Sequence, residues 1–255
     1  MLVSEVMLQQ TQARRVVAPF VAFMARFPTP ARCAEAPLAE VVLAWAGLGY
    51  NRRAAHLHGA ARSIVADHGG VVPDRLDDLE ALPGVGSYTA RAVLAFAYER
   101  DVAVVDVNVA RVLARAVVGA PLGTVAVQTL ADALVPDGRG WRWNQTLMEI
   151  GATSCTGRAP RCADCPLGRC CAWAGAGRPE PDPGRPGRRQ SPFEGSDRQG
   201  RGRLVSALRR GPVPAAALAA ACGWPQDGPR AERMACALVA DGLARRGRTG
   251  TLRLA

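Results

Sequence analysis

Leu76-Asp-Asp-Leu-Glu-Ala-Leu-Pro-Gly-Val-Gly-Ser-Tyr-Thr-Ala-Arg-Ala-Val93 contains two short helical stretches joined by the turn Pro83-Gly84-Val85-Gly86. Glycine at both ends of the turn allows close approach of another backbone. Gly84 and Gly86 can take positive φ and aim successive N–H groups outward. Ser87 is placed to cap the second helix, whose N-terminus attracts an anion such as a DNA phosphate. Alone, such a turn serves equally as an ordinary helix connection.

Apolar residues recur with helical period on both sides, as in Ala54, Leu57, Ala61, Ile64 and again Val109, Val112, Leu113, Ala116. No strand-like alternation competes, and Pro and Gly cut the region into short helices. The expectation is an all-α domain over residues 1–173. Residues 174–203, rich in Pro, Gly and Arg, read as a linker that tracks a phosphate backbone. Residues 204–255 read as a small winged-helix-like module, three short helices and then a Gly-centred turn between strands. Cys222 and Cys236 within it read as core residues.

Cys155, Cys162, Cys165 and Cys171 are spaced C-x6-C-x2-C-x5-C. Four thiolates brought to one centre repel one another and require a soft metal, either zinc or an iron–sulfur cluster. Zinc sites more often pair two C-x2-C knuckles, and only one is present. Disulfides fit poorly, because eight cysteines over 255 residues with no export signal are no secreted framework. Cys170 adjoins Cys171 and competes for the fourth place, which the spacing gives to Cys171. Cys33 and the three histidines have no partner spacing and read as structural.

The net charge of +10 is uneven: residues 1–150 carry 14 Arg and 14 Asp/Glu, residues 151–255 carry 18 Arg and 8 Asp/Glu. This favours a polyanion as partner over a merely solvated basic tail. No apolar run reaches the roughly 18 residues of a membrane span, so the expectation is a cytoplasmic protein without a membrane partner. All 32 basic residues are arginine.

Together, L-P-G-V-G-x-Y-T-A and the cysteine quartet resemble the helix-hairpin-helix DNA glycosylases that carry a [4Fe-4S] cluster, over residues 1–173. Two branches share these features. Endonuclease III-like enzymes remove oxidised pyrimidines and nick DNA through a lysine Schiff base. Tyr88 stands at that lysine's position and the chain contains no lysine, which excludes a lysine-dependent lyase. Ser4-Glu5-Val6-Met7-Leu8-Gln9-Gln10-Thr11 and Asp106-Val107-Asn108-Val109-Ala110-Arg111-Val112 instead resemble the S-E-x-M-L-Q-Q-T and D-x-N-V-x-R-V segments of MutY-type adenine glycosylases. Gly47-Leu48-Gly49-Tyr50 resembles their G-L-G-Y loop.

That resemblance implies a monofunctional enzyme of base excision repair acting as a monomer on double-stranded DNA with A:8-oxoG or A:G mispairs. Glu5, in an apolar pocket that raises its pKa, would protonate N7 of adenine, and Asp106 would stabilise the oxocarbenium-like sugar. Tyr88 and Asn108 would hydrogen-bond the carboxylates and the departing base. Gln10 and Thr11 would contact the opposite base, Leu48 and Tyr50 would wedge into the stack, and Gly84, Val85, Gly86 and Ser87 would hold a phosphate. Taken alone, Glu5 reads as a first-turn acid, and Asp106 and Asn108 as helix caps.

Relatives begin at least a helix earlier, so the front is expected to be truncated. Residues 199–255 are too short for the NUDIX-like domain of many relatives. Two other readings stay open: a pyrimidine-damage glycosylase of the same fold, and a catalytically impaired mismatch-binding fragment.

Overall fold

A computed structural model describes residues 1–184 and 192–255. The chain forms α1 (Leu2–Leu8), α2 (Ala13–Arg26), α3 (Pro30–Glu35), α4 (Leu38–Ala44), α5 (Arg52–Asp67), α6 (Leu76–Glu80) and α7 (Ser87–Ala97). There follow α8 (Val107–Leu113), prolonged by one π turn at Ala114–Val118, α9 (Thr124–Leu134), α10 (Gly140–Thr153) and α11 (Ala172–Gly175). Last come α12 (Asp197–Arg210), α13 (Leu218–Cys222), α14 (Gly228–Ala240) and the antiparallel hairpin of β1 (Ala244–Arg246) and β2 (Leu252–Leu254). The fold is helical, as expected, with strand pairing confined to this hairpin and a bridge from Val213 to Leu252 among the described residues. No helix among those residues is long and apolar enough to cross a membrane.

Two compact units arise. One gathers Asp74–Leu76 and residues 86–184. Its core joins Val109, Val112 and Leu113 of α8, Val127 and Ala131 of α9, and Leu147 and Ile150 of α10, with Cys155, Cys165 and Leu167 packed against it. Asp101 accepts from the N–H groups of Gly138 (2.6 Å) and Gly140 (2.8 Å) at the start of α10, and these bonds hold its carboxyl below the usual range. The cysteine loop departs from the end of α10.

The other unit gathers Leu2–Pro73, Asp77–Val85 and residues 192–255. Here α5 packs against α3, α4 and α1. Trp45, wholly buried, takes the edge of Phe23 at 6.1 Å between ring centroids. In the C-terminal part, Leu204, Leu238, Leu243 and Leu252 are all buried, and α12 packs against α13, α14 and β2.

The expected linker at 174–203 needs correction. Arg185–Ser191 lie outside the described residues. Residues from Asp197 onward are already helix α12, started by the Ser196 side chain accepting from the Gln199 N–H. Glycine there is not a loop signal: a Cβ on Gly200 would come within 2.1 Å of the Trp224 ring. At the other end, Pro179 accepts from Trp173 Nε1 (2.9 Å) and Asp182 pairs with Arg115, so that stretch is strapped to the cysteine region. Cys222 is buried as expected, but Cys236 is exposed.

Candidate active site and metal centre

Arg53, at the second position of α5, organises one half of the candidate residues. It is 7% exposed. Its Nη1 donates to the carbonyls of Val6 (2.8 Å), Met7 (2.8 Å) and Gln9 (2.7 Å). Its Nη2 donates to Thr11 Oγ1 (3.0 Å) and to the carbonyls of Leu48 and Gly49 (both 3.3 Å). The guanidinium also lies 5.4 Å from the Trp45 ring and 5.6 Å from that of Tyr50. Burial pulls its pKa down to about 10, which leaves it charged at neutral pH. One side chain thereby ties the end of α1 to the Gln9–Thr11 turn and the Gly47–Tyr50 loop. Gln10 (φ 54) and Tyr50 (φ 43) are both left-handed without being glycine. Such strain costs on the order of 1 kcal/mol per residue and persists where surroundings enforce it.

Glu5 lies on α1, 9% exposed and flanked in the chain by buried Val6 and Met7, and burial raises its pKa. Gln10 is exposed and Thr11 half-buried. Tyr50 is 42% exposed, whereas Leu48 is 2% exposed. The expectation that Leu48 wedges into a base stack is therefore corrected: its side chain is consumed by packing, and Tyr50 alone presents a ring from that loop.

The Pro83–Gly86 turn corrects three further expectations. Gly84 does take positive φ (+77), and a Cβ there would also meet His56 Cβ at 2.5 Å. Gly86 is extended (φ −98), and it, not Ser87, occupies the N-cap of α7, with no side-chain cap. Ser87 is the first helical residue and is exposed. The Val85 side chain is buried and its N–H donates to Leu82 O (3.1 Å), so it closes the turn and does not face outward. Gln9 Nε2 donates to Gly84 O (3.4 Å).

In the other unit Asp106 is the N-cap of α8. Its Oδ1 accepts from the N–H groups of Asn108 (2.8 Å) and Val109 (2.7 Å), and its Oδ2 accepts from Asn108 Nδ2 (2.8 Å). Asn108 Oδ1 in turn accepts from Arg111 Nη2 (2.7 Å), which also donates to Gly151 O (2.7 Å), while Arg111 Nε donates to Cys155 O (2.6 Å). A Cβ on Gly151 would press within 2.6 Å of Asn108 Cβ, so glycine lets α10 pass close to that side chain. Tyr88 is 38% exposed on α7. Asp106 is thus a helix-capping carboxylate whose two oxygens are both fixed by donors.

Cys155, Cys162, Cys165 and Cys171 all line one cavity, together with Arg115 and Trp173. Cys170 is exposed, its Sγ against Leu167 O (3.4 Å). Among the described residues no three His, Cys, Asp or Glu side chains are gathered tightly enough for a single ion. The four sulfurs share a cavity without meeting at a point. Arg115, 1% exposed within the π turn, donates to Cys155 Sγ (3.4 Å), Thr156 O (2.8 Å) and both oxygens of Asp182, and lies 4.9 Å from the Trp173 ring. Burial alone would lower its pKa, but Asp182 and Cys155 hold it above the usual value.

Comparison with known proteins matches residues 3–122 to the HhH-GPD superfamily of base excision DNA repair proteins. The adenine DNA glycosylase of Mycobacterium tuberculosis (strain ATCC 25618 / H37Rv) is 48% identical over 250 residues, covering 96% of this chain and 81% of that protein. The chain belongs to the adenine DNA glycosylase family. Its Mycolicibacterium smegmatis relative is 44% identical over 257 residues, covering all of this chain and 86% of the other. Among solved structures, a thermostable thymine-DNA glycosylase matches with TM-score 0.64 at 30% identity, covering 69% of this chain and 83% of that one. An endonuclease III–DNA complex matches with TM-score 0.61 at 22% identity, covering 69% and 83%, a likeness of fold.

Three residues of this adenine DNA glycosylase family member escaped the sequence reading, Arg53, Arg115 and Asp182, and a fourth, Arg111, entered it only as the arginine of D-x-N-V-x-R-V. Arg111 and Arg115 did carry a signal, two arginines one turn apart on an otherwise apolar helix. Arg53 and Asp182 carried none, since their partners lie up to 67 residues away.

Proposed function

We propose that the chain hydrolyses the N-glycosidic bond of adenine mispaired with 8-oxoguanine or guanine in duplex DNA, without nicking the strand. The observation that carries this reading is Glu5, a buried carboxyl whose pKa burial raises. A carboxylic acid kept neutral can deliver a proton to N7 of adenine and turn the base into a better leaving group, worth roughly 100- to 10,000-fold. Asp106 holds its oxygens toward two N–H groups and the Asn108 amide. A carboxylate held in place this way is positioned to stabilise positive charge developing on the sugar. Tyr50 is the side chain suited to fill the gap left by a flipped nucleotide. With no lysine in the chain, no lysine Schiff base can form.

The same reading assigns Cys155, Cys162, Cys165 and Cys171 to a [4Fe-4S] cluster. The donor set is four thiolates, with no histidine, aspartate or glutamate among the lining residues, and thiolates spread around a cavity suit a multi-iron cluster. Hydrolysis needs no electron, so the cluster would supply a cross-link that folds the loop. Cys170 is left outside.

The test is single-turnover reaction of the full chain with A:8-oxoG and A:G duplexes. Alkali-labile sites at the adenine, with strands intact before alkali, are expected, and Glu5→Gln should abolish them. Excision of thymine glycol in preference to adenine would overturn the reading, as would full activity of Glu5→Gln. Iron and acid-labile sulfide in equal amounts are expected in the purified protein, whereas zinc would exclude the cluster.

A further inference from the structure

The C-terminal hairpin carries a charge arrangement that its own stability does not explain. In the β1–β2 register Arg245 stands directly opposite Arg253. Both are exposed, on the face turned away from the buried Ala244 and Leu252, and Arg248 in the connecting turn is exposed as well. Like charges directly opposite in an antiparallel pair destabilise it. Carboxylates are within the module's reach, since Arg246 pairs with Glu232 of α14 at 2.6 Å. Among the described residues none pairs with Arg245, Arg248 or Arg253.

This hairpin is fastened beside the loop that presents Tyr50. Asp241, three residues before β1, takes ion pairs from Arg52 (3.3 Å) and Arg201 (2.5 Å). Arg209 of α12 donates to Val42 O (3.0 Å) and to Asn51 Oδ1 (2.8 Å). Burial lowers the Arg209 pKa, as expected for a side chain used as a peg and not as a surface charge. Arginines at the joint are thus neutralised or hydrogen-bonded, while those on the outward hairpin face are left to solvent.

We propose that this face is a second phosphate-binding surface, on which Arg245, Arg248 and Arg253 grip the backbone of the duplex whose mismatch meets the Tyr50 loop. The surface reads no sequence. It supplies the counterion-releasing contacts that lengthen the footprint beyond the lesion. The inference rests on the reading of the chain as an enzyme of duplex DNA.

Binding of the full chain to an undamaged duplex and to an A:8-oxoG duplex, followed by fluorescence anisotropy between about 50 and 200 mM salt, tests it. Each phosphate contact contributes about 0.9 to the slope of log affinity against log salt. The triple variant R245A/R248A/R253A should therefore lose about 2 to 3 from that slope and bind at least about tenfold more weakly at physiological salt. Its melting temperature should be equal or higher, because a repulsive pair is gone. The corresponding triple lysine variant should recover the slope, and single-turnover excision at saturating protein should be unchanged. A control losing the same charge at exposed Arg62, Arg139 and Arg142 should shift the slope by less than half as much. An unchanged slope in the hairpin variant, or an equal shift in the control, overturns the proposal while leaving adenine excision intact. Failure of the wild type to bind any duplex would overturn both.

Discussion

The role proposed for Glu5 needs its protonated form, and the burial that favours this form leaves a signature in both stability and rate. Its folded-state pKa lies above its unfolded one, so its contribution to stability is fully present below the unfolded pKa and is lost as pH rises through the folded one. Excision should fall over the same alkaline flank. Glu5→Gln removes the proton but keeps the shape; at neutral pH it should melt no lower than wild type while losing about 100- to 10,000-fold in excision, a pairing that calorimetry and single-turnover assays would reveal. Arg53 predicts the reverse pattern. Arg53→Met strips six acceptors of their donor and should cost on the order of 3 kcal/mol or more in chemical denaturation. Arg53→Lys should recover only part, because a single ammonium cannot span both loops. A folded Arg53→Lys chain should also discriminate less between 8-oxoguanine and guanine opposite the adenine.

At the scale of elements, the turn between α6 and α7 separates what local sequence specifies from what it does not. P-G-x-G announced a turn and was read with two left-handed glycines and a serine cap; only Gly84 is left-handed. The pattern alone cannot choose, since what makes Gly84 indispensable is the His56 ring on α5, 28 residues earlier in the chain. Gly84→Ala should thus cost about 1–3 kcal/mol and abolish duplex binding, whereas Gly86→Ala, with open space around the added methyl, should fold normally. Thermal melts of the two variants make the comparison. Leu48 was misjudged for a similar reason. A leucine between glycines looks available to DNA, and only the packed core shows that the loop folds it inward. Helical periodicity, in contrast, is local, which is why α5, α8 and the C-terminal helices were legible at once.

For the whole molecule, chain order misleads about grouping. The helices at the front and the hairpin at the end share one compact unit, and residues 86–184 form the other. Composition made residues 174–203 resemble a passive connector, because Arg, Gly and Pro read as solvated when their partners are unseen. Asp182 and Gly200 each have a specific neighbour. Loss of the proposed cluster should show the same division: Cys155→Ser should lower iron content and unsettle the core around α8 and α10, which Cys155 and Cys165 touch. Hydrogen exchange would place the loosened amides there and not in α12–α14.

The Arg115–Asp182 bridge bears on where a shortened version of this protein could be cut. A chain ending at Trp173, just past the last cysteine of the quartet, would leave the Arg115 guanidinium without its carboxylate and without the residues that cover it. Eleven more residues, to Gly184, restore the counter-charge. Both fragments lack the C-terminal helices, so the difference between their yields of folded protein measures what this strap contributes through the bridge and the Trp173–Pro179 hydrogen bond. Expression trials that stop at the cysteine motif should give insoluble material, and protease trimming of the native chain should halt beyond Asp182.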